Sequence, residues 1–159
     1  MSKLKMKDIG KMNFSGTVQV TDPCYNSDVW CRTTIDVKPG EYACRTWMSP
    51  EERVGIIGIY LNGAVPPQKS MEEIGTIGVD AGFAGFFMKK PDYSDSEWNQ
   101  FCNIVCENVS GRMKDFWIFD DVINTVGFFS SSGYGDGEYP VYVCKDTDGE
   151  IIAAEIRFM

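Results

Sequence analysis

The sequence predicts a mostly β fold: a β-sandwich or open barrel of about eight or more short strands, with one packed α-helix near residues 94–110. Three observations carry this. Short alternating or apolar runs recur along the chain, separated by breaks rich in Gly, Pro and Asp. One segment alone joins a helix cap to apolar residues at helical spacing. The 159 residues, 43% of them hydrophobic and 13% aromatic, suit a single domain, 1–159, able to bury a core without staples.

The elements follow in order. Lys3, Lys5, Lys7 and Lys11 against Asp8 predict a short basic N-terminal arm, 1–13, frayed and solvated. Ser15–Thr21 alternates, with Val18 and Val20 on one face, and stops at Asp22-Pro23, as a half-buried strand does. Alternation from Val29 through Cys31, Thr33, Ile35 and Val37 predicts a second strand. Pro39-Gly40 then predicts a turn, with Glu41–Met48 returning as the other half of a hairpin. Arg53–Asn62 reads as a strand in which Gly55 and Gly58 mark a bulge or a close backbone approach. Val65-Pro66-Pro67 opens a loop.

Ile74–Asp80 and Gly82–Met88 read as two short strands around an Asp80-Ala81-Gly82 turn. The helix comes next. Ser94 and Glu97 form a capping box, Trp98, Phe101, Cys102, Val105 and Val109 line one face, and Gly111 closes it. Phe116–Phe119 and Asn124–Ser130 read as buried strands. Tyr139–Lys145 and Glu150–Phe158 flank Asp148-Gly149 as a hairpin. Pro140 places the first of these at an edge or at its own start, and such an edge is a place for another copy to pair.

Composition bounds the function. The net charge of −8 repels a phosphate backbone, so no direct nucleic-acid binding is expected. It favours a partner protein with a basic surface. The opening MSKLKMKDIGKM has no apolar run, and Val54–Leu61 is too short for a membrane helix. The expected location is therefore the cytoplasm, with Cys24, Cys31, Cys44, Cys102, Cys106 and Cys144 reduced and packed as small hydrophobes. Cys102 and Cys106 share a helix face, but no second pair completes a zinc site. Histidine is absent, which removes Ser-His-Asp and Cys-His catalysis and histidine-bound metals. No complete catalytic motif replaces it.

Two groups of residues carry candidate chemistry. Asp22, Asp80 and Asp136 each sit beside Pro or Gly at a strand end. If those ends meet, the three carboxylates offer hard oxygens to a divalent cation, or an acid–base pair. The same residues are also ordinary turn formers. The second group is the run Ser131, Ser132, Gly133, Tyr134, Gly135, Asp136 and Gly137, whose backbone N–H groups suit an anion, with Tyr134 or Tyr139 to stack a base. It lacks the endings of a P-loop or dinucleotide fingerprint, so a strained β connection explains it better. No resident cofactor is expected.

Asp22-Pro23, then Val37, Pro39, Gly40 and Tyr42, then Val79, Asp80 and Gly82, then the Ser131–Tyr142 block and Glu155–Phe158, together resemble an uncharacterised bacterial and bacteriophage family, domain of unknown function 4241. The resemblance spans most of the chain from Ser15 onward and brings no activity with it. What it implies is a setting, a phage or mobile element in a bacterial host cell. The first expectation is thus a non-enzymatic binding protein, an inhibitor of a host defence protein acting through an acidic surface. The alternatives are a nucleotide- or anion-binding protein, and a metal-assisted hydrolase built on the Asp turns.

Overall fold

The computed structural model describes residues 4–22, 33–51, 53–79, 83–88, 116–120, 126–133 and 135–158. The expected helix at 94–110 lies outside them. Among the described residues the chain is mostly β. It forms β1 (Lys5–Thr21), β2 (Thr33–Met48), β3 (Val54–Leu61), β4 (Glu72–Val79), β5 (Phe83–Met88), β6 (Phe116–Asp120), β7 (Val126–Ser131), β8 (Gly137–Lys145) and β9 (Ile151–Arg157). All nine join one sheet in the order β4-β8-β9-β3-β2-β1-β5-β7-β6.

The β1–β2 ribbon gives the sheet its shape. Its first half pairs Lys5–Phe14 with Gly40–Met48, and its second pairs Gly16–Val20 with Thr33–Val37. Between them Ser15 on one strand, and Lys38 and Pro39 on the other, have no partner. Unequal insertions of this kind bend a ribbon and raise its twist. Gly16 takes φ +65 at the bend, a conformation open to glycine at little cost. The far half of β2 pairs with β3, the far half of β1 pairs with β5, and β2 also meets β9 in parallel at Val37 and Ile151. The sheet therefore curls into a half-barrel around one apolar interior.

That interior is lined by alternate residues of every strand around it. Phe14, Val18, Val20, Tyr42, Ile57, Ile59, Val141, Val143, Ala154 and Ile156 are all fully or nearly fully buried in one cluster. Burying each large side chain here contributes about 1.5–3 kcal/mol. Tyr42 also holds the bend. Its ring meets Phe14 edge-on at 5.8 Å, and its hydroxyl donates to the Lys38 carbonyl at 2.6 Å and to the Ile151 carbonyl at 3.3 Å. From outside, Lys38 Nζ donates to Asp146 Oδ2 at 3.1 Å. The bulged backbone is satisfied by a tyrosine from within and clasped by an aspartate from the β8–β9 turn.

Several expectations are corrected. Pro39-Gly40 is a bulge inside one long strand, not a hairpin turn. Gly40 still pairs with Phe14, and only the two residues before it leave the ladder. The basic N-terminus is not a frayed arm, because residues from Lys5 onward are strand. A register shift between Asp8 and Gly10 breaks the period of two that would have revealed it. The two strands expected on either side of residues 80–82 are present as β4 and β5, and each pairs elsewhere. β4 pairs with β8, and β5 with β1 and β7. Finally, β8 is not an edge, since it lies between β4 and β9. Pro140 is accommodated because it precedes Val141, the first β8 residue paired to β9. The β8–β9 hairpin itself turns as expected, with Gly149 at φ +83.

Candidate binding face

The outer side of the half-barrel carries side chains that alternation places opposite the core. One row crosses six strands: Asp8 pairs with Arg45, Arg45 with Gly58, Gly58 with Glu155, Glu155 with Tyr142, and Tyr142 with Glu73. Gly58 is the gap in this row. A side chain there would collide with the Tyr60 hydroxyl. Tyr60 lies over it along its own strand and reaches the neighbours that Gly58 would otherwise separate.

The result is a fixed network. Tyr60 Oη donates to Glu155 Oε2 at 2.6 Å and accepts from Trp47 Nε1 at 2.9 Å. Arg157 donates to Glu155 Oε1 through Nε at 3.1 Å and Nη2 at 3.0 Å. The Arg157 guanidinium lies over the Tyr142 ring at 3.7 Å, within range of a cation–π attraction. Tyr142 Oη in turn donates to Glu73 Oε1 at 3.2 Å. Glu155 is 2% exposed and Tyr60 fully buried, so this is a carboxylate held out of water by three donors. Burial, then the adjacent Glu155 charge, raises the Tyr60 hydroxyl above the usual tyrosine range. It therefore stays a donor at any ordinary pH. Met71 and Ile152 close one side, packing on Tyr60, Cys144 and Ala153.

Beside the network is a hollow of about 400 Å³ floored by Ala43, walled by Asp8, Lys11, Glu41 and Arg45, and ended by Asn62-Gly63. It exists because Ala43 is small among long charged neighbours. Arg45 donates to the Gly63 carbonyl at 2.9 Å, while its buried Nε has no hydrogen-bond acceptor. Asp8 stands 3.8 Å from that Nε.

The described residues singled out from sequence lie toward one end of the half-barrel, but their side chains divide. Thr21 pairs with Gly85, Val79 with Gly137, and Phe83 with Ser131. The end of β1, the end of β4, the start of β5 and the flanks of the loop at Ser131 and Gly137 thus lie toward the same end of the sheet. Asp22 is fully buried, whereas Asp136 is exposed. Asp80 and Tyr134 lie outside the described residues. Among the described residues no group of three acids or thiols is arranged to hold a metal ion.

The loop is closed on itself. Ser132 Oγ and Tyr139 Oη both donate to the Gly135 carbonyl, at 2.5 Å and 2.8 Å. Arg53 donates to the Gly133 carbonyl at 2.9 Å, and Gly133 and Gly135 take φ +69 and +102. Tyr139 also meets Phe158 edge-on at 4.9 Å, so its ring packs on the core. Of the six cysteines, Cys44 and Cys144 are described, both as buried free thiols. Burial pushes Cys44 up to about 12.

The outer network was missed in the sequence, although a signal was there. Arg45 and Trp47, and Glu155 and Arg157, are pairs two apart in sequence, a spacing that in a strand places each pair on one face. Comparison with family models, with curated proteins and with solved structures gave no match.

Proposed function

We propose that the chain is a non-enzymatic binding protein whose docking surface is the outer face of β2, β3, β9, β8 and β4. The observation that supports this is the Trp47–Tyr60–Glu155–Arg157–Tyr142 network. Trp, Tyr and Arg are the residues that dominate binding energy at protein interfaces. A surface that holds them rigid before binding loses less entropy on association.

The partner favoured by charge is a protein with a basic surface. Glu72, Glu73, Asp136 and Glu138, on β4, β8 and the loop before β8, are all exposed, and the chain carries −8 overall. Such an acidic flank steers a basic partner and fixes its orientation. The phage-family resemblance is the reason to seek that partner among host defence proteins. The test is capture of partner from the source cells by the wild type and by a Glu73→Lys/Glu138→Lys variant. A protein held at low salt, lost at about 0.5 M salt and lost by the variant supports the reading. Equal retention by both proteins at both salts refutes its electrostatic part.

A further inference from the structure

The bulge at Ile9, between Asp8 and Gly10, gathers charge at one place on the outer face. A bulge reverses which face each later residue takes. Asp8 lies opposite Arg45 and Lys11 opposite Ala43, so both share the outer face although they are three residues apart. Glu41, two residues from Ala43 on β2, lies on that face too. Small Ala43 is thus ringed by long charged side chains, and the hollow of about 400 Å³ stands over it. Its far end is pinned to β2. The Asn62 N–H donates to the Glu41 carbonyl at 2.9 Å, Arg45 Nη1 donates to the Gly63 carbonyl at 2.9 Å, and Asn62 takes φ +55 in the turn.

The charged groups around this hollow leave hydrogen-bonding capacity unused. Lys11 Nζ stops 3.9 Å from Glu41, and Asp8 stops 3.8 Å from Arg45, whereas charge-assisted hydrogen bonds close to about 2.7–2.9 Å. The Asp8, Lys11 and Glu41 side chains are 58%, 67% and 57% exposed, so each can turn to a ligand. We propose that the hollow binds a free α-amino acid, its carboxylate between Lys11 and Arg45 and its ammonium toward Asp8 and Glu41.

The mixture of signs selects the ligand. Two acids and two bases wall the hollow, so a lone cation or a lone anion meets repulsion along with attraction. A ligand that carries both charges close together is complemented at each. It has no net charge, so the −8 of the whole chain neither draws it nor repels it. The volume lies at the small end of ligand sites and suits an amino acid better than a nucleotide. The bonds from Asn62 and Arg45 fix two of the walls beforehand, which lowers the cost of ordering them on binding. This inference rests on the hollow alone and stands apart from the proposal for the outer network, since no partner protein enters it.

The test is a titration of the isotope-labelled full chain, followed by amide NMR, with each common L-amino acid in turn at about 10 mM. The Ala43, Asn62 and Gly63 signals should shift with at least one of them. They should stay in place with the N-acetyl and amide derivatives of the same amino acid, which lack one charge each. Lys11→Met and Glu41→Gln, both at well-exposed side chains, should each weaken binding by about tenfold or more. Ala43→Leu fills the floor and should abolish it. No shift with any amino acid, an equal response to either singly charged derivative, or an affinity unchanged in both Lys11→Met and Glu41→Gln would each overturn the assignment.

Discussion

Replacing Tyr60 by Phe removes one oxygen from the outer face and nothing else. That oxygen donates to the buried Glu155 and accepts from Trp47. Trp47 is only partly buried, so its N–H recovers a bond to water. Glu155 cannot, being 2% exposed, and keeps only its two bonds from Arg157. A hydrogen bond to a charged group contributes about 1.5–3 kcal/mol, so Tyr60→Phe should cost about 2 kcal/mol. With a urea dependence of about 2 kcal/mol per molar for a domain of this size, the unfolding midpoint should fall by about 1 M, read by tryptophan fluorescence. The same substitution in a Glu155→Gln background removes only a neutral bond and should cost about 1 kcal/mol. Equal costs in the two backgrounds, or a loss below about 0.5 kcal/mol in the wild type, would show that the hydroxyl and the charge are not coupled.

Three further outcomes follow from the same geometry. Gly58→Ala drives a methyl into the Tyr60 hydroxyl and ring edge and should destabilise by about 1–3 kcal/mol, with most of that loss kept in the Tyr60→Phe background, where the clashing ring carbons remain. Burial pushes Tyr42 and Cys44 up to about 12, so the folded chain keeps protons that the unfolded chain releases from about pH 9–10. Stability should be full below that range and fall as pH rises toward 12, and Tyr42→Phe should flatten part of the decline in thermal melts. Asp146 is held below the usual carboxylate range by the Glu150 N–H and then by Lys38. Its contribution is present above the unfolded value and lost as pH falls, so the melting-temperature deficit of Asp146→Ala should shrink on acidification.

The β character and most strand positions were legible because alternation and turn residues are local signals. Val18 and Val20, and Asp148-Gly149, state their roles within a few residues. Pro39-Gly40 misleads for a physical reason. A proline and a glycine mark a break in a ladder, but a bulge and a turn both break it, and only the partner strand distinguishes them. The strand at Lys5–Asn13 was hidden because the bulge at Ile9 interrupts its period. The outer network could not be assembled from sequence, since Tyr60 meets Glu155 across 95 residues and only after lying over a glycine. The Ser–Gly loop shows the opposite case. Its composition suits an anion site, yet Ser132 and Tyr139 both spend their hydroxyls on the loop's own Gly135 carbonyl.

The last strand of the sheet to be synthesised, β9, lies between β3 and β8 and also touches β2. Until it arrives, β3 and β8 have nothing to join them, and the β4–β8 ladder cannot dock beside the ribbon. The half-barrel can therefore close only after β9 has been made, through contacts as remote in sequence as Val37 with Ile151. Such remote contacts make closure slow. During the wait Ile57 and Ile59 on β3 and Val141 and Val143 on β8 lack their final cover. The nascent chain thus passes through an interval in which its own central strands are the surfaces most exposed to aggregation.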